Sequence, residues 1–406
     1  MDESVSQAKQ PIIVSLTSGR LSGVDVFAAD LVRGLIARGY PARLLLTESD
    51  LPSLDQMNPP GDLPVDSLTF DPRGGFRTRL HTLKTYLESH SPCIYLPNYD
   101  FRHSSICGIL TDRIPVIGIV HSDDPLHYRH VRRLGKYWNG IVAVSRFIES
   151  NVRQMIPEIQ DRLAYIPYGI PPVPIAGDQQ SDGDGRLRIL YAGRIVQNQK
   201  RFGDVIIIAK QLLRREIPFH LTICGGADDG GHLLAPLQGM MESGVAEYRG
   251  IVPHDRLQQE YGRHDVYLLP SSFEGLPLGV MEAMAAGCIP VTTNIRSGIP
   301  ELITDGSNGF LLEIGDTDGF VSRLADLQIS AGRRRVMREK VRSSFLESQF
   351  TLDRMVSAYI ELFDTVWTDS AAGTFKRPPG RLPWTIWKEY LPHSIRRMAR
   401  RILRRK

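Results

Sequence analysis

The chain reads as two α/β units in tandem, each a parallel sheet with helices on both faces. Three observations carry this. Short apolar runs alternate with stretches of helical periodicity from residue 12 to residue 155, and again from residue 187 onward; that alternation buries a parallel sheet beneath crossover helices. Between the two series, residues 166–174 (IPYGIPPVP) lose all periodicity and residues 176–186 (AGDQQSDGDGR) are polar and glycine-rich, the composition of a linker. The length, 406 residues, suits two or three domains that each bury a core.

In the first series, residues 12–16, 42–47, 93–96, 115–120 and 140–144 are apolar enough for buried strands. Residues 24–38 have helical periodicity and stop at Gly39, residues 78–90 are helical, and residues 145–155 form a helix that Ser145 can cap. Residues 51–76, rich in Pro, Asp and Gly, read as a long loop. The second series places strands at 187–191, 219–224, 247–249, 266–270 and 289–293, with helices at 204–215, 231–242 and 257–262. Residues 350–363 are helical, and residues 370–383, with three prolines, read as a second linker. The expected division is 1–172 for the first domain, 173–186 for a linker, 187–349 for the second domain, 350–369 for a terminal helix and 370–406 for linker and tail.

The bulk composition narrows the function. The hydrophobic fraction of 42% is that of a soluble globular protein, and no apolar stretch is long enough to cross a bilayer. The opening residues MDESVSQ lack the basic and apolar regions of a signal peptide, so a cytoplasmic location is expected. Cys93, Cys107, Cys224 and Cys288 are scattered without metal-ligand spacing, which predicts neither a disulfide nor a structural zinc. His127 and His130 lie near one another, but nothing else supports a metal, and none is expected.

The net charge of +4 conceals an asymmetry: residues 376–406 hold eleven Lys or Arg and one acid, Glu389, for +10, and the other 375 residues carry −6. A nucleic-acid enzyme places its basic residues on the folded surface, so no nucleic-acid partner is expected. Within the tail, Ile395, Met398, Ala399, Ile402 and Leu403 fall on one helical face, with arginines on the other and Trp384 and Trp387 upstream. A basic face, an apolar face and tryptophans suit a helix lying on an anionic membrane. Residues 383–406 are therefore expected to attach the protein peripherally to the inner face of the cytoplasmic membrane.

The chemistry concentrates in residues 272–282, SFEGLPLGVME, which join an apolar run to a short helix. Glu274 lies on the loop and Glu282 about two helical turns on. Gly275 and Gly279 let backbone amides approach a ligand, and a helix start offers unpaired N–H groups and a positive dipole end to a diphosphate. Two carboxylates beside an anion site make sense as acceptors for hydroxyls, those of a sugar and a ribose. Glu282 sits between Met281 and Ala283 in an apolar helix, where a carboxylate is costly unless partnered. Upstream, residues 191–201 (YAGRIVQNQKR) place Arg194 and Lys200 on a loop after a strand; a forked guanidinium and a mobile ammonium suit the charge of a diphosphate. His121 closes the strand at 115–120, where ligands bind in such sheets, and Gly19 to Gly23 (GRLSG) join the first strand to the first helix.

These segments resemble the retaining glycosyltransferases of the GT-B fold, family four. Residues 272–282 resemble the family's Glu-x7-Glu motif, residues 191–201 its Gly-Arg-Leu…Lys segment, residues 297–302 (SGIPEL) its Gly-Gly-x-Pro-Glu turn, and residues 305–312 (DGSNGFLL) its Asp-Gly-x-x-Gly-x-Leu continuation. The match is specific over residues 187–320 and looser before residue 172. The resemblance implies two facing Rossmann-like domains with an interdomain cleft, and a terminal helix that crosses back to the first domain. It implies transfer of a sugar from a nucleoside-diphosphate sugar to a hydroxyl acceptor, with retention and without a metal or other cofactor.

The same resemblance assigns roles. Arg194 and Lys200 contact the donor diphosphate, Glu274 and Gly275 lie near the transferred sugar, and Glu282 binds the ribose. Leu278, Gly279 and Val280 present amides to the phosphates, and Val252 lies near the base. Gly19 and Gly23 face the donor phosphates and the acceptor, although the loop departs from the family's double-glycine form, and His121 lies near the donor sugar. The basic tail points to a glycan or lipid-linked acceptor. The alternatives are a GT-B epimerase or phosphorylase, or a non-catalytic protein that binds a sugar nucleotide or glycan.

Overall fold

The computed structural model describes residues 9–17, 23–47, 61–69, 75–98, 100–173, 185–227 and 231–381. Gly19 and the tail 383–406 lie outside them. The chain divides into two compact units, one drawn from residues up to Ala143, from Glu149–Tyr165 and from Val356 onward, the other from Val144–Ile148 and Ile166–Met355.

The first unit is built on β1 (Ile12–Leu16), α1 (Gly23–Ala37), β2 (Ala42–Leu46), β3 (Val65–Ser67), α2 (Phe76–Ser89), β4 (Ile94–Leu96), β5 (Ile117–Val120), α3 (Pro125–Leu134), β6 (Gly140–Ala143), α4 (Arg146–Met155, in this unit from Glu149) and β7 (Leu163–Tyr165). Among the described residues all pairings are parallel: β3-β2-β1-β4 form one ladder, β5-β6-β7 another, and a parallel bridge, Tyr95 to Val116, links them. Val14 at the centre of β1 faces Leu44 on one side and Leu96 on the other, and β1, β4, β5 and β6 are buried throughout. Continuous apolar strands of this kind belong to a sheet covered on both faces. Strand β3 falls inside the stretch read as loop. It is three residues long, with a half-exposed VDS sequence, too short and polar to register as a strand.

The second unit comprises β8 (Leu187–Ala192), α5 (Phe202–Arg214), β9 (Phe219–Cys224), α6 (Gln238–Glu242), β10 (Ala246–Tyr248), α7 (His254–Arg263), β11 (Val266–Leu269), α8 (Leu278–Ala285), β12 (Ile289–Thr293), α9 (Ile299–Leu302), β13 (Phe310–Leu312), α10 (Thr317–Ile329) and α11 (Ala331–Glu347). Its strand order is β10-β9-β8-β11-β12-β13, all parallel. In this order the chain runs to one side of its first strand and then returns to the other, leaving a switch point between β8 and β11 where ligands bind. The helix expected over 231–242 is instead a 3₁₀ stretch, His232–Leu237, followed by the five-residue α6; Pro236 cannot donate in an α-helical ladder.

Helix α12 (Leu352–Ala372) starts in the second unit and from Val356 belongs to the first. There the packing depends on glycines: a Cβ at Gly34 of α1 would stand 2.5 Å from Val356 Cγ2. Beyond the helix, the Arg377 guanidinium donates to the carbonyl oxygens of Leu110 (2.7 Å), Thr111 (3.0 Å), Ile114 (2.8 Å) and Tyr137 (3.0 Å), and Gly380 N donates to Gly108 O at 3.0 Å. The segment after α12 is thereby fastened to the first unit.

Candidate active site

Three glycines draw the carboxyl ends of β8, β9 and β10 together. Gly193 N donates to Cys224 O at 2.9 Å, and Gly225 N donates to Gly250 O at 2.7 Å. Gly225 has φ +143°, and a Cβ there would lie 1.9 Å from Gly193 O, so no side chain fits. Val252, half-buried, follows two residues after Gly250.

Arg194 and Lys200 lie on the loop after β8. Tyr191 Oη holds the loop from below by donating to Arg194 O at 2.6 Å. Lys200 Nζ donates to Glu274 Oε1 at 2.7 Å; their side chains are 16% and 8% exposed, so this is a largely desolvated pair. Gln199 completes the arrangement. Its Oε1 accepts from Arg194 Nη2 at 2.6 Å, its Nε2 donates to Phe273 O at 3.4 Å, and its carbonyl accepts from Ser272 N at 2.8 Å. One residue therefore ties the Arg194–Lys200 loop to the Glu274 loop. Next to Glu274, Gly275 is buried and accepts from Gly298 N at 2.7 Å.

Helix α8 opens at Leu278 after Pro277, with no side-chain cap. Leu278 and Gly279 stand where a helix start leaves its amides unpaired, while Val280 N donates to Pro277 O at 3.1 Å. Glu282, 5% exposed, is four residues into the helix, and His254 Nε2 lies 2.6 Å from its Oε1. Tyr261, beneath the same helix, is pushed up well above the usual phenol range by burial and by Glu282. Gly279 has a packing reason besides ligand approach: a Cβ there would stand 2.5 Å from Tyr267 Oη and 3.2 Å from Tyr261 Oη. Tyr267 Oη in turn donates to Ala192 O at 2.8 Å, which registers the helix start against the end of β8.

The second unit thus assembles Arg194, Lys200, Glu274 and Gly275, with Glu282, Leu278, Gly279 and Val280 on the adjoining helix. His121 and Gly23 belong to the first unit. His121 follows β5, is buried, and meets Phe27 edge-on with ring centroids 5.6 Å apart. Burial holds it well below the usual imidazole range, so it is a neutral hydrogen-bonding group. Gly23 opens α1.

Gln199 and His254 escaped the sequence reading. Gln199 stands beside Lys200 in the motif itself and could have been singled out; His254 becomes a partner of Glu282 only when the chain folds. Among the described residues no cluster of three or more His, Cys, Asp or Glu could hold a metal ion, and no helix is long and apolar enough to cross a membrane.

Residues 186–328 match the family model described as glycosyl transferases group 1. The chain is 33% identical over 172 residues to the amylovoran biosynthesis glycosyltransferase AmsK of Erwinia amylovora, a stretch covering 39% of this chain and 41% of AmsK. It is 29% identical over 226 residues to a GDP-mannose-dependent α-(1-6)-phosphatidylinositol monomannoside mannosyltransferase of Mycolicibacterium smegmatis, covering 50% of this chain and 56% of that one. Less than two thirds of either relative is spanned. The fold is also that of Anabaena Alr3699/HepE, solved in complex with UDP and glucose (TM-score 0.71, 15% identity, 88% of this chain and 100% of that chain). Sucrose-phosphate synthase from Thermosynechococcus elongatus shares it as well (TM-score 0.73, 16% identity, 89% and 100%). Residues 186–328 therefore resemble the glycosyl transferases group 1 family, and the chain shares the GT-B fold of these structures.

Proposed function

We propose that the protein transfers a sugar from a nucleoside-diphosphate sugar to a hydroxyl acceptor, with retention at the anomeric carbon. The observation that carries this is the Lys200–Glu274 pair, joined through Gln199 to Arg194 and set beside the open start of α8. Arg194, Lys200 and the α8 amides stabilise the charge that grows on the departing diphosphate, and such preorganised electrostatics supply the largest catalytic term in many enzymes. With two cationic side chains in that role, the reaction needs neither a metal nor another cofactor. The acceptor hydroxyl attacks from the face the diphosphate leaves, and its proton passes to the departing phosphate. Glu274 orients the transferred sugar, Glu282 accepts from the ribose hydroxyls, Val252 lies by the base, and neutral His121 binds a sugar hydroxyl. Gly19 and Gly23 border the donor phosphates.

The acceptor in this reading is a glycan or a lipid-linked sugar, met at the inner face of the cytoplasmic membrane through residues 383–406. The amylovoran biosynthesis named for AmsK and the phosphatidylinositol monomannoside named for the Mycolicibacterium smegmatis relative support it. Calorimetry with UDP, GDP, ADP and CDP, without added metal, tests the donor site. Binding of one diphosphate, reduced at least tenfold in Lys200→Ala and Glu282→Ala, is expected; silence toward all four removes the transferase reading. Retention is tested by the anomeric configuration of the product in proton NMR. Deleting residues 383–406 is expected to move the protein from membrane to soluble fractions, and unchanged membrane recovery would refute the role given to the tail.

A further inference from the structure

Asn98 follows β4 at the carboxyl end of the first unit's sheet. The strand order β3-β2-β1-β4 puts that unit's switch point between β1 and β4, the place where doubly wound sheets take ligands. Three properties of Asn98 are unusual together. Its backbone is left-handed, with φ +47°. Its side chain is buried, the residue being 3% exposed. Among the described residues, neither Nδ2 nor Oδ1 has a hydrogen-bond partner. A buried donor and acceptor left unpaired are costly. A glycine would meet the backbone requirement with no such penalty. The fold therefore gains nothing from this amide.

The turn that carries it is held firmly. Asp100 N donates to Pro97 O at 2.9 Å. The fully buried Asp100 carboxylate accepts from His103 N at 2.8 Å and lies 3.0 Å from His103 Nδ1. Thr47 Oγ1 is 2.6 Å from Asp100 Oδ2 and 3.1 Å from Leu16 O. The ends of β1 and β2 and the turn after β4 are thus tied into one frame that carries Asn98. A rigid support of this kind is what a positioned binding group requires.

We infer that Asn98 is the group through which the first unit holds the acceptor, its amide giving one hydrogen bond to, and taking one from, hydroxyls of a glycoside. This rests on the transferase reading above. The test uses the full-length chain, the common sugar nucleotides of the base identified by calorimetry as donors, and octyl glycosides of glucose, galactose, mannose and N-acetylglucosamine as acceptor probes, following release of nucleoside diphosphate. Asn98→Gly keeps the left-handed backbone, so its melting temperature is expected to hold or rise while the KM for the stimulating glycoside rises at least tenfold, well beyond any change in nucleotide Kd. Asn98→Asp, which loses the donor half of the amide, is expected to fall between. An unchanged glycoside KM in Asn98→Gly overturns the inference, as does a lower melting temperature with an unchanged KM, which would make Asn98 structural. Failure of every glycoside to stimulate the wild type overturns it too. Failure of the wild type to bind any nucleoside diphosphate strikes instead at the transferase reading, and the acceptor role falls with it.

Discussion

Glu282 is tolerable inside an apolar, alanine-rich helix because His254 Nε2 stands 2.6 Å from its carboxylate. Removing one member of such a pair leaves a buried charge without its partner, which costs about 1–3 kcal/mol or more. His254→Ala is therefore expected to lower the melting temperature and weaken nucleoside-diphosphate binding roughly tenfold, with His254→Gln recovering part of both; calorimetry and thermal denaturation read the two effects. Gly279 offers a sharper case. Gly279→Ala drives a methyl into Tyr267 Oη, and overpacking of this kind costs about 1–3 kcal/mol. Adding Tyr267→Phe removes the closest atom, so the double variant is expected to recover stability relative to Gly279→Ala alone. No recovery would mean that contact with Tyr267 Oη is not what excludes a side chain at Gly279. At this scale Arg194, Lys200, Glu274 and Glu282 were singled out by resemblance to a family motif, and the fold brings Lys200 to Glu274 and ties Arg194 to the same loop through Gln199. Partners set by folding, such as His254, leave no trace in local sequence.

Among the elements, the segment after α12 behaves as a fastener. Arg377 is pulled below the usual guanidinium range by burial and donates to four carbonyl oxygens around β5 and the 3₁₀ stretch His103–Ile109. Arg377→Ala is expected to cost about 2–4 kcal/mol. Arg377→Lys should restore only a minority of that, since one ammonium cannot reproduce a planar fork; urea denaturation measures both. Residues 370–383 read as linker because proline and glycine dominate them, and what fixes their path is a single arginine that composition does not mark. The strands legible in advance were those buried on both sides, such as β1 and β11. The three-residue strands β3, β7 and β13 escaped because they are too short to show a period, even where apolar as in FLL of β13, and their identity comes from a neighbour's ladder.

For the whole molecule, alternation of strands and helices was enough to anticipate two parallel sheets, while the order of strands within each emerged only from the pairing. The buried histidines link that architecture to pH. His127 is held down to about 4 by burial, against about 6.5 in the unfolded chain. The unfolded state therefore binds a proton that the folded state refuses, and stability present above pH 6.5 is lost as the pH falls toward 4. The full contribution is on the order of 3 kcal/mol. His121 and His130, also held down by burial, act in the same direction. The melting temperature is expected to fall steeply between pH 6.5 and pH 4, and His127→Gln to flatten that slope; a slope unchanged in the variant would contradict it.

The Lys200–Glu274 pair has a consequence for selectivity. Under the donor role proposed for Lys200, an incoming phosphate does not meet an open cation; it must displace a carboxylate already seated on the ammonium at 2.7 Å. The exchange of one anion for another releases little net charge to solvent. Simple anions such as chloride or sulfate, which bring no sugar for the freed carboxylate to hold, are poor competitors for the position, and only a ligand carrying both phosphate and hydroxyls rewards both members of the pair.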